Sequence, residues 1–494
     1  MTRIDERVST HVYKVKRISK KEMESIAGVC VYDQPPFCNA ACPLKLDVKA
    51  MLKAAAENDF KKAFKIYESI APFPLILSAG CGAPCEEKCR LCELGDGIAI
   101  GDIERAVALS GGAGEKRSIF RVRKKKKAAV FGSGLFALLL AGELEKKGYP
   151  VTAICGEADE EEYLRVAAGF LRENDFYTEL KRLRGKDIAF EFNAEMTREL
   201  FEEKRGGFDV LCASEKAALD IFPGAVRDEG IMLMESEGLL TGGGETVLEA
   251  ALGARKAALT ADRLAQGIDP RSARGEEGPV TSRLYTNPDL ARGLIRIKGC
   301  ESGYTREQAA EEAGRCMQCH CDECLRGCAY LRRFNKHPGL LSREIYNNTQ
   351  IIMGDHPLNR AMNACALCGQ CTVTCPHGFD MAHVCRTARE NMVDTDKMPL
   401  AAHEFALLDM LFSNGEAYLC RKQPGHSHCR YVFFPGCQAA AIAPEAVIAA
   451  YEDLCTRLKG GVALMLGCCG AIAHWAGRGE MYGEVRDKIA AELA

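Results

Sequence analysis

Cys365-Ala-Leu-Cys368-Gly-Gln-Cys371-Thr-Val-Thr-Cys375-Pro376 spaces four thiols as C-x2-C-x2-C-x3-C-P. On one tight loop, that spacing lets three thiolates reach three corners of an iron-sulfur cube while the fourth points to a second cube. A partner run is therefore expected. It is present as Cys316-Met-Gln-Cys319-His-Cys321-Asp-Glu-Cys324-Leu-Arg-Gly-Cys328, where either Cys319 or Cys321 is surplus to a four-cysteine pattern. The spacing assigns Cys365, Cys368, Cys371 and Cys328 to one [4Fe-4S] cluster. Cys316, Cys319, Cys324 and Cys375 go to the other, with Cys321 an alternative ligand. Paired C-x2-C motifs also suit tetrahedral zinc, but the C-x3-C-P ending belongs to iron-sulfur loops.

The elements around these boxes read as helical, as at Arg306 to Gly314, rather than as the short strands of a small ferredoxin. The boxes resemble the helical two-cluster ferredoxin domain of heterodisulfide reductases and related dehydrogenases. Upstream, the basic run Lys124 to Lys127 leads into an apolar strand at Ala128 to Phe131, a glycine turn, a helix through Gly148 and a second strand at Val151 to Cys155. The polar stretch from Ile268 to Gly299 carries Pro270, Pro279 and Pro288, which would interrupt a long helix or central strand, so it reads as a linker.

Composition agrees with this use of sulfur. The chain has 494 residues, a prior of about three domains at ~150 residues each. Its 26 cysteines are far too many for ordinary usage, and the chain is far too long for a small disulfide scaffold. Twenty-three of them fall in four groups, with Cys155, Cys212 and Cys300 outside. Cys155 and Cys212 lie in apolar strand-like stretches and read as core; Cys300, Cys385 and Cys455 carry no spacing argument. A net charge of -3 gives no field to draw the chain to nucleic acid. The first fifteen residues are too polar for a signal-peptide core, and no apolar run approaches the ~18 residues of a membrane span. The expectation is a cytoplasmic chain with reduced, metal-ligating thiols.

The N-terminal cysteines read Cys30-x7-Cys38-x3-Cys42-Pro43, then Cys81-Gly-Ala-Pro-Cys85-Glu-Glu-Lys-Cys89 and Cys92, with helical periodicity from Val48 to Tyr67. The order CNAACPLKLDVKAML, GCGAPCEEKC, IAIGDIER resembles the N-terminal domain of the small chain of glutamate synthase and of dihydropyrimidine dehydrogenase. The resemblance implies helices around two [4Fe-4S] clusters. Cys42, Cys81 and Cys85 match one, with Glu104 near the position of a non-cysteine ligand. Cys30, Cys38 and Cys89 match the other, where Asp33 stands in place of a family cysteine. Either Asp33 ligates through oxygen, or Cys92 substitutes, or that cluster is absent or incomplete.

Gly132-Ser133-Gly134-Leu-Phe-Ala137 follows a strand and opens a helix, the context in which G-x-G-x-x-G/A binds a dinucleotide pyrophosphate. Gly242-Gly243-Gly244-Glu-Thr246-Val-Leu-Glu249-Ala250-Ala251 resembles the closing segment of the same family's FAD domain. Several details depart from it. Cys155 replaces the acidic residue expected at the end of the second strand, though Glu157 is near. Gly242-Gly243 replaces a Gly-Asp pair. No second glycine fingerprint occurs before Gly267, so no NAD(P)H site is expected, and FAD or an empty Rossmann-like scaffold remain the alternatives.

Phe433-Phe434-Pro435-Gly436-Cys437, followed by Leu466-Gly467-Cys468-Cys469-Gly470, resembles the cysteine-rich CCG domain of heterodisulfide reductases and their relatives. The later C-x2-C of that family is not found before Ala494, so a partial site is expected. Cys420, His426, His428 and Cys429 could alternatively hold zinc or be incidental loop residues. The expected architecture is multidomain α+β and α/β. Residues 1–118 form a helical iron-sulfur domain and 119–267 a reduced Rossmann-like FAD-type domain. Residues 268–415 form a linker and two-cluster ferredoxin domain, and 416–494 a partial cysteine-rich domain. The expected function is an electron-transfer subunit of a larger oxidoreductase, with a ferredoxin or flavoprotein subunit as partner. The alternatives are an FAD-dependent reductase of a disulfide or other small substrate, and a noncatalytic assembly subunit.

Overall fold

A computed structural model describes residues 19–110, 123–272, 274–299, 303–399 and 402–493. Cys300 lies outside the described residues. The chain divides into two compact units, one containing Gln34–Cys321 and the other formed by the segment ending at Asp33 together with Asp322–Ala494.

The Gln34–Cys321 unit begins with short helices. The periodic stretch from Val48 to Tyr67 forms two of them, Val48–Ala56 and Phe60–Glu68. Asn58 adopts a left-handed φ of 58°, and the Asp59 carboxylate then accepts the Lys62 N–H at 3.0 Å to start the second helix. Pro74–Gly80, Pro84–Glu87 and Ile100–Ser110 follow. The apolar faces of these helices, including Met51, Phe60, Tyr67, Leu75 and Ile103, are buried in one core.

The same unit contains a six-stranded sheet. Its strands are β1 (Ala128–Phe131), β2 (Val151–Ile154), β3 (Ile188–Glu191), β4 (Val210–Ser214), β5 (Leu233–Met234) and β6 (Leu239–Gly242), in the order β3-β2-β1-β4-β6-β5. All neighbours pair in parallel except β5 with β6. The centre strand β1 is buried along its whole length, which is why Ala-Ala-Val-Phe shows no polar alternation. Cys155 and Cys212 are both fully buried here, as the apolar stretches around them imply.

Residues 268–299, expected to be a linker, instead lie packed across the N-terminal helices. Val280 donates its N–H to the Ala40 carbonyl at 2.8 Å, and the Ser282 hydroxyl donates to Pro35 at 2.6 Å. Asp96 N–H reaches the Leu294 carbonyl at 2.8 Å. The proline-rich sequence blocks helix but leaves donors and acceptors that the neighbouring helices satisfy. Helix Arg306–Gly314 follows, opened by a Thr305/Gln308 capping box.

Glu312 on that helix is buried and accepts the N–H groups of Ala99 at 3.0 Å and Ile297 at 2.9 Å, as well as Arg315 at 2.6 Å. Arg315 in turn donates to the Asp96 carbonyl at 2.6 Å. This pair fixes the approach of Cys316 to the segment around residues 96–99.

In the other unit, helix Lys20–Ala27 packs on Pro338–Gln350, and Glu323–Gly327 packs on Gln370–Thr374. A Cβ on Gly327 would stand 2.8 Å from Thr374 Cγ2, so this close approach of the two cysteine boxes requires glycine there. A small sheet of β7 (Leu419–Arg421), β8 (Tyr431–Phe433) and β9 (Val462–Leu466), ordered β7-β9-β8, carries the C-terminal cysteines. No helix among the described residues is long and apolar enough to cross a membrane.

Replacing Glu312 with alanine would leave Arg315 charged and buried without its carboxylate and orphan two backbone donors, so a loss of about 3–5 kcal/mol is expected. Urea unfolding of the full chain measures it. A loss under ~1 kcal/mol would mean that the pair does not hold this segment.

Candidate iron-sulfur sites

Four elements of the Gln34–Cys321 unit bring Cys42, Cys81, Cys85 and Glu104 together. Cys42 ends helix Phe37–Ala41, Cys81 ends Pro74–Gly80, Cys85 lies in Pro84–Glu87, and Glu104 faces inward from Ile100–Ser110. Burial pushes the Cys81 thiol up to about 12 and raises Cys85 further, and the Glu104 charge adds to both. Burial also lifts the Glu104 carboxyl to about 8, against the opposing effect of the neighbouring Tyr67 hydroxyl. The Leu46 N–H points at Cys42 Sγ, 3.4 Å away. These three thiols and a carboxyl disfavour one another's ionised forms, and iron would let them ionise together by taking the place of their protons. The donor set fits the group.

A second set consists of Cys38, Cys89, Cys316 and Cys319, which line one cavity with Phe37 and Leu52. Burial, then the nearness of Cys316, Cys319 and Cys89, pushes the Cys38 thiol up. Burial raises Cys316 to about 11. Gln318 holds a left-handed φ of 50° and turns its side-chain amide to Cys316 Sγ at 3.4 Å. Lys49 Nζ donates to the Cys319 carbonyl at 2.9 Å. The buried Thr286 hydroxyl lies beside Cys319 and favours its ionised form. Cys92, near Cys89 but not lining the cavity, is an exposed thiol donating to the Glu86 carbonyl at 3.5 Å.

This arrangement departs from both expected groupings. Cys316 and Cys319 lie with Cys38 and Cys89, whereas the spacing grouped them with Cys324 and Cys375. Cys30, which the resemblance grouped with Cys38 and Cys89, belongs to the other unit and lies near Cys375. The reason is local. Cys30 lies three residues beyond the end of helix Lys20–Ala27, and a Cβ on Gly339 would come 2.9 Å from Cys30 Cβ. Tyr32 stacks on His337 with ring centroids 4.4 Å apart, and exposed Asp33 faces Arg343 at 4.0 Å.

In that other unit, Cys324, Cys371 and Cys385 are buried in one core, with Cys30, Cys328, Cys365 and Cys375 packed against it; Cys368 is exposed. Leu367, at φ 53°, and Gly369, at φ 74°, wind the second box. Cys321 is the last residue of the Gln34–Cys321 unit.

Cys385 carried no spacing signal, yet its thiol hydrogen-bonds Cys365 and holds that thiol below the usual range. The Tyr330 hydroxyl lies 3.6 Å from Cys385 Sγ, and Arg389 donates to the Met362 carbonyl at 2.8 Å and to the Cys365 carbonyl. A buried arginine with one apolar helix face around it is not distinguishable in sequence from an exposed one.

Around the glycine turn, Gly134 adopts φ 99° at the start of helix Leu135–Lys146, with open space where a Cβ would stand. Ser133 lies between the two glycines, and Ala137 is buried. One Glu157 carboxylate oxygen, just beyond β2, is buried without a partner among the described residues. These features fit a pyrophosphate and a ribose hydroxyl. Phe136 packs its ring on Gly242, while Gly243 lies against the Glu215 carboxylate. Thr246 serves as a helix cap, accepting the Glu249 N–H at 3.2 Å.

At the C-terminal sheet, Cys468 is buried beside Cys437 and Cys469, and burial raises its thiol to about 11. Cys420 lies near Glu492, and Cys429 and Cys455 near Tyr451, rather than gathering with His426 and His428. Among the described residues no three His, Cys, Asp or Glu side chains close round a single ion.

The hydrogen bond from Cys385 predicts that Cys385→Ala shifts the adjoining cluster to lower potential with iron content unchanged, measured by EPR-monitored redox titration. A loss of iron would instead make Cys385 a ligand.

Residues 7–112 match the family model for dihydropyrimidine dehydrogenase domain II, 4Fe-4S cluster, and residues 315–380 match that for a 4Fe-4S dicluster domain. The chain is 28% identical over 230 residues to the beta subunit of NADPH-Fe(3+) oxidoreductase of Geobacter sulfurreducens, covering 44% of this chain and 33% of the relative. It is 28% identical over 159 residues to the beta subunit of NADP(+)-dependent formate dehydrogenase of Moorella thermoacetica, covering 27% and 21%. It is also 28% identical over 146 residues to the glutamate synthase [NADPH] small chain of Azospirillum brasilense, covering 27% and 29%. The chain thus spans a third or less of the length of each of these relatives, and it carries two kinds of 4Fe-4S domain, one similar to the dihydropyrimidine dehydrogenase type and one of dicluster type.

Proposed function

We propose that this chain is an iron-sulfur electron-transfer subunit of a multi-subunit oxidoreductase, conducting electrons between protein partners. The observation that carries the reading is the set of separate, largely buried sulfur-donor groups, each built from several elements. Sites of this kind store single electrons, and their potentials follow from burial and from hydrogen bonds to sulfur. Two of the relatives are named as beta subunits of oxidoreductases, which supports protein partners. By chemistry the partner is a low-potential one-electron carrier or a flavoprotein. The reading includes no nicotinamide site on this chain.

A second reading, an FAD-dependent reductase, is favoured by Gly134 and by the unpartnered oxygen of Glu157. In that reading the turn at 132–134 and Glu157 hold the pyrophosphate and ribose of FAD. A bound flavin would exchange electron pairs with a substrate and single electrons with the clusters.

Anaerobically purified chain mixed with reduced ferredoxin is expected to bleach its broad absorption near 400 nm, while NADPH alone leaves it unchanged. Bleaching by NADPH alone would contradict the proposed role. Flavin in the supernatant of acid-precipitated protein, at about one per chain, would favour the second reading.

A further inference from the structure

We propose that Cys38, Cys89, Cys316 and Cys319 together ligate one [4Fe-4S] cluster, so that the dicluster segment completes a cluster begun by the N-terminal helices. The inference deepens the iron-sulfur reading above and rests on it.

Four observations carry the assignment. The first is convergence: all four thiols line one cavity, although Cys38 and Cys316 are separated by more than half the chain. A second is the backbone. Cys316-Met-Gln-Cys319 and Cys365-Ala-Leu-Cys368 share C-x2-C spacing, and their third residues, Gln318 and Leu367, both adopt left-handed φ, 50° and 53°. The first loop is therefore wound like the second, whose spacing alone marks it as iron-sulfur binding. Third, Thr286 presents a buried hydroxyl to Cys319 that favours its ionised form, a donor suited to a thiolate or an inorganic sulfide. Lastly, Glu312, Arg315 and Lys49 hold the loop from three sides. Glu312 and Arg315 secure the approach to Cys316, and Lys49 secures the Cys319 carbonyl.

The assignment also accounts for Asp33. A family cysteine is not needed at that position, because Cys316 and Cys319 replace both members of the first C-x2-C. Cys30 is then available within its own unit, where it lies near Cys375. Cys92, exposed and bonded to Glu86, is not required.

The test counts iron and acid-labile sulfide in anaerobically reconstituted full chain. Cys38→Ala/Cys89→Ala and Cys316→Ala/Cys319→Ala are each expected to lose about four irons relative to wild type, and the quadruple variant still about four, because one cube is removed each time. Combining Cys316→Ala/Cys319→Ala with Cys42→Ala/Cys81→Ala is expected to lose about eight. A loss of about eight in the first quadruple variant would overturn the assignment while leaving the iron-sulfur reading intact. Wild-type chain without acid-labile sulfide would overturn that reading itself. Thr286→Val, which removes no ligand, provides a check free of assembly failure. It is expected to lower the potential of the one EPR signal that Cys316→Ala/Cys319→Ala abolishes. A shift confined to a signal that survives in that variant would equally overturn the assignment.

Discussion

Buried thiols resist ionisation, and thiols buried in groups resist it more, because each negative charge raises the cost of the next. That constraint governs the buried cysteine groups of the Gln34–Cys321 unit. Around Cys42, Cys81, Cys85 and Glu104, and again around Cys38, Cys89, Cys316 and Cys319, the fold gathers groups that disfavour one another's charged forms. Without a bound cation these groups stay protonated and neutral. A cationic cluster inverts the balance: the thiols give up protons, and metal binding becomes part of the folding free energy. The short helices, several of only four or five residues, fit that logic, since isolated helices of this length have little stability of their own.

Other parts of the molecule hold the donors in place without sulfur. Glu312 and Arg315 fasten the 293–297 stretch and helix Arg306–Gly314 to the N-terminal segment. Arg389 satisfies the carbonyls of Met362, Cys365 and Trp475, and so supports the start of the second box from behind. The parallel sheet contributes a rigid body against which helix Pro74–Gly80 packs through Val247–Ala265. In the proposed role, this scaffolding matters because the potential of each centre depends on fixed hydrogen bonds and burial.

Much of this was legible in the sequence. The C-x2-C-x2-C-x3-C-P run marks its chemistry by spacing, and the strand at 128–131 and the helix at 306–314 stand where the sequence reading places them. What the sequence could not convey was partnership between distant segments. Spacing sorted Cys316 and Cys319 with their immediate neighbours, and resemblance sorted Cys30 with Cys38. Each inference treats nearness in sequence as nearness in space. The packing of helix Lys20–Ala27 on Pro338–Gln350 and the Glu312 network decide otherwise, and neither leaves a local signature. Prolines between 270 and 288 announced that no long helix or central strand would run there, as holds among the described residues, but they did not reveal that the stretch is packed against residues 35–40.

The most direct measurement is the Mössbauer spectrum of iron-57-enriched chain prepared without oxygen, together with its iron and sulfide content. Cubic [4Fe-4S] centres, with iron and acid-labile sulfide in equal amounts, are the predicted outcome. A chain that carries zinc at its cysteine pairs, or iron without inorganic sulfide, would contradict it.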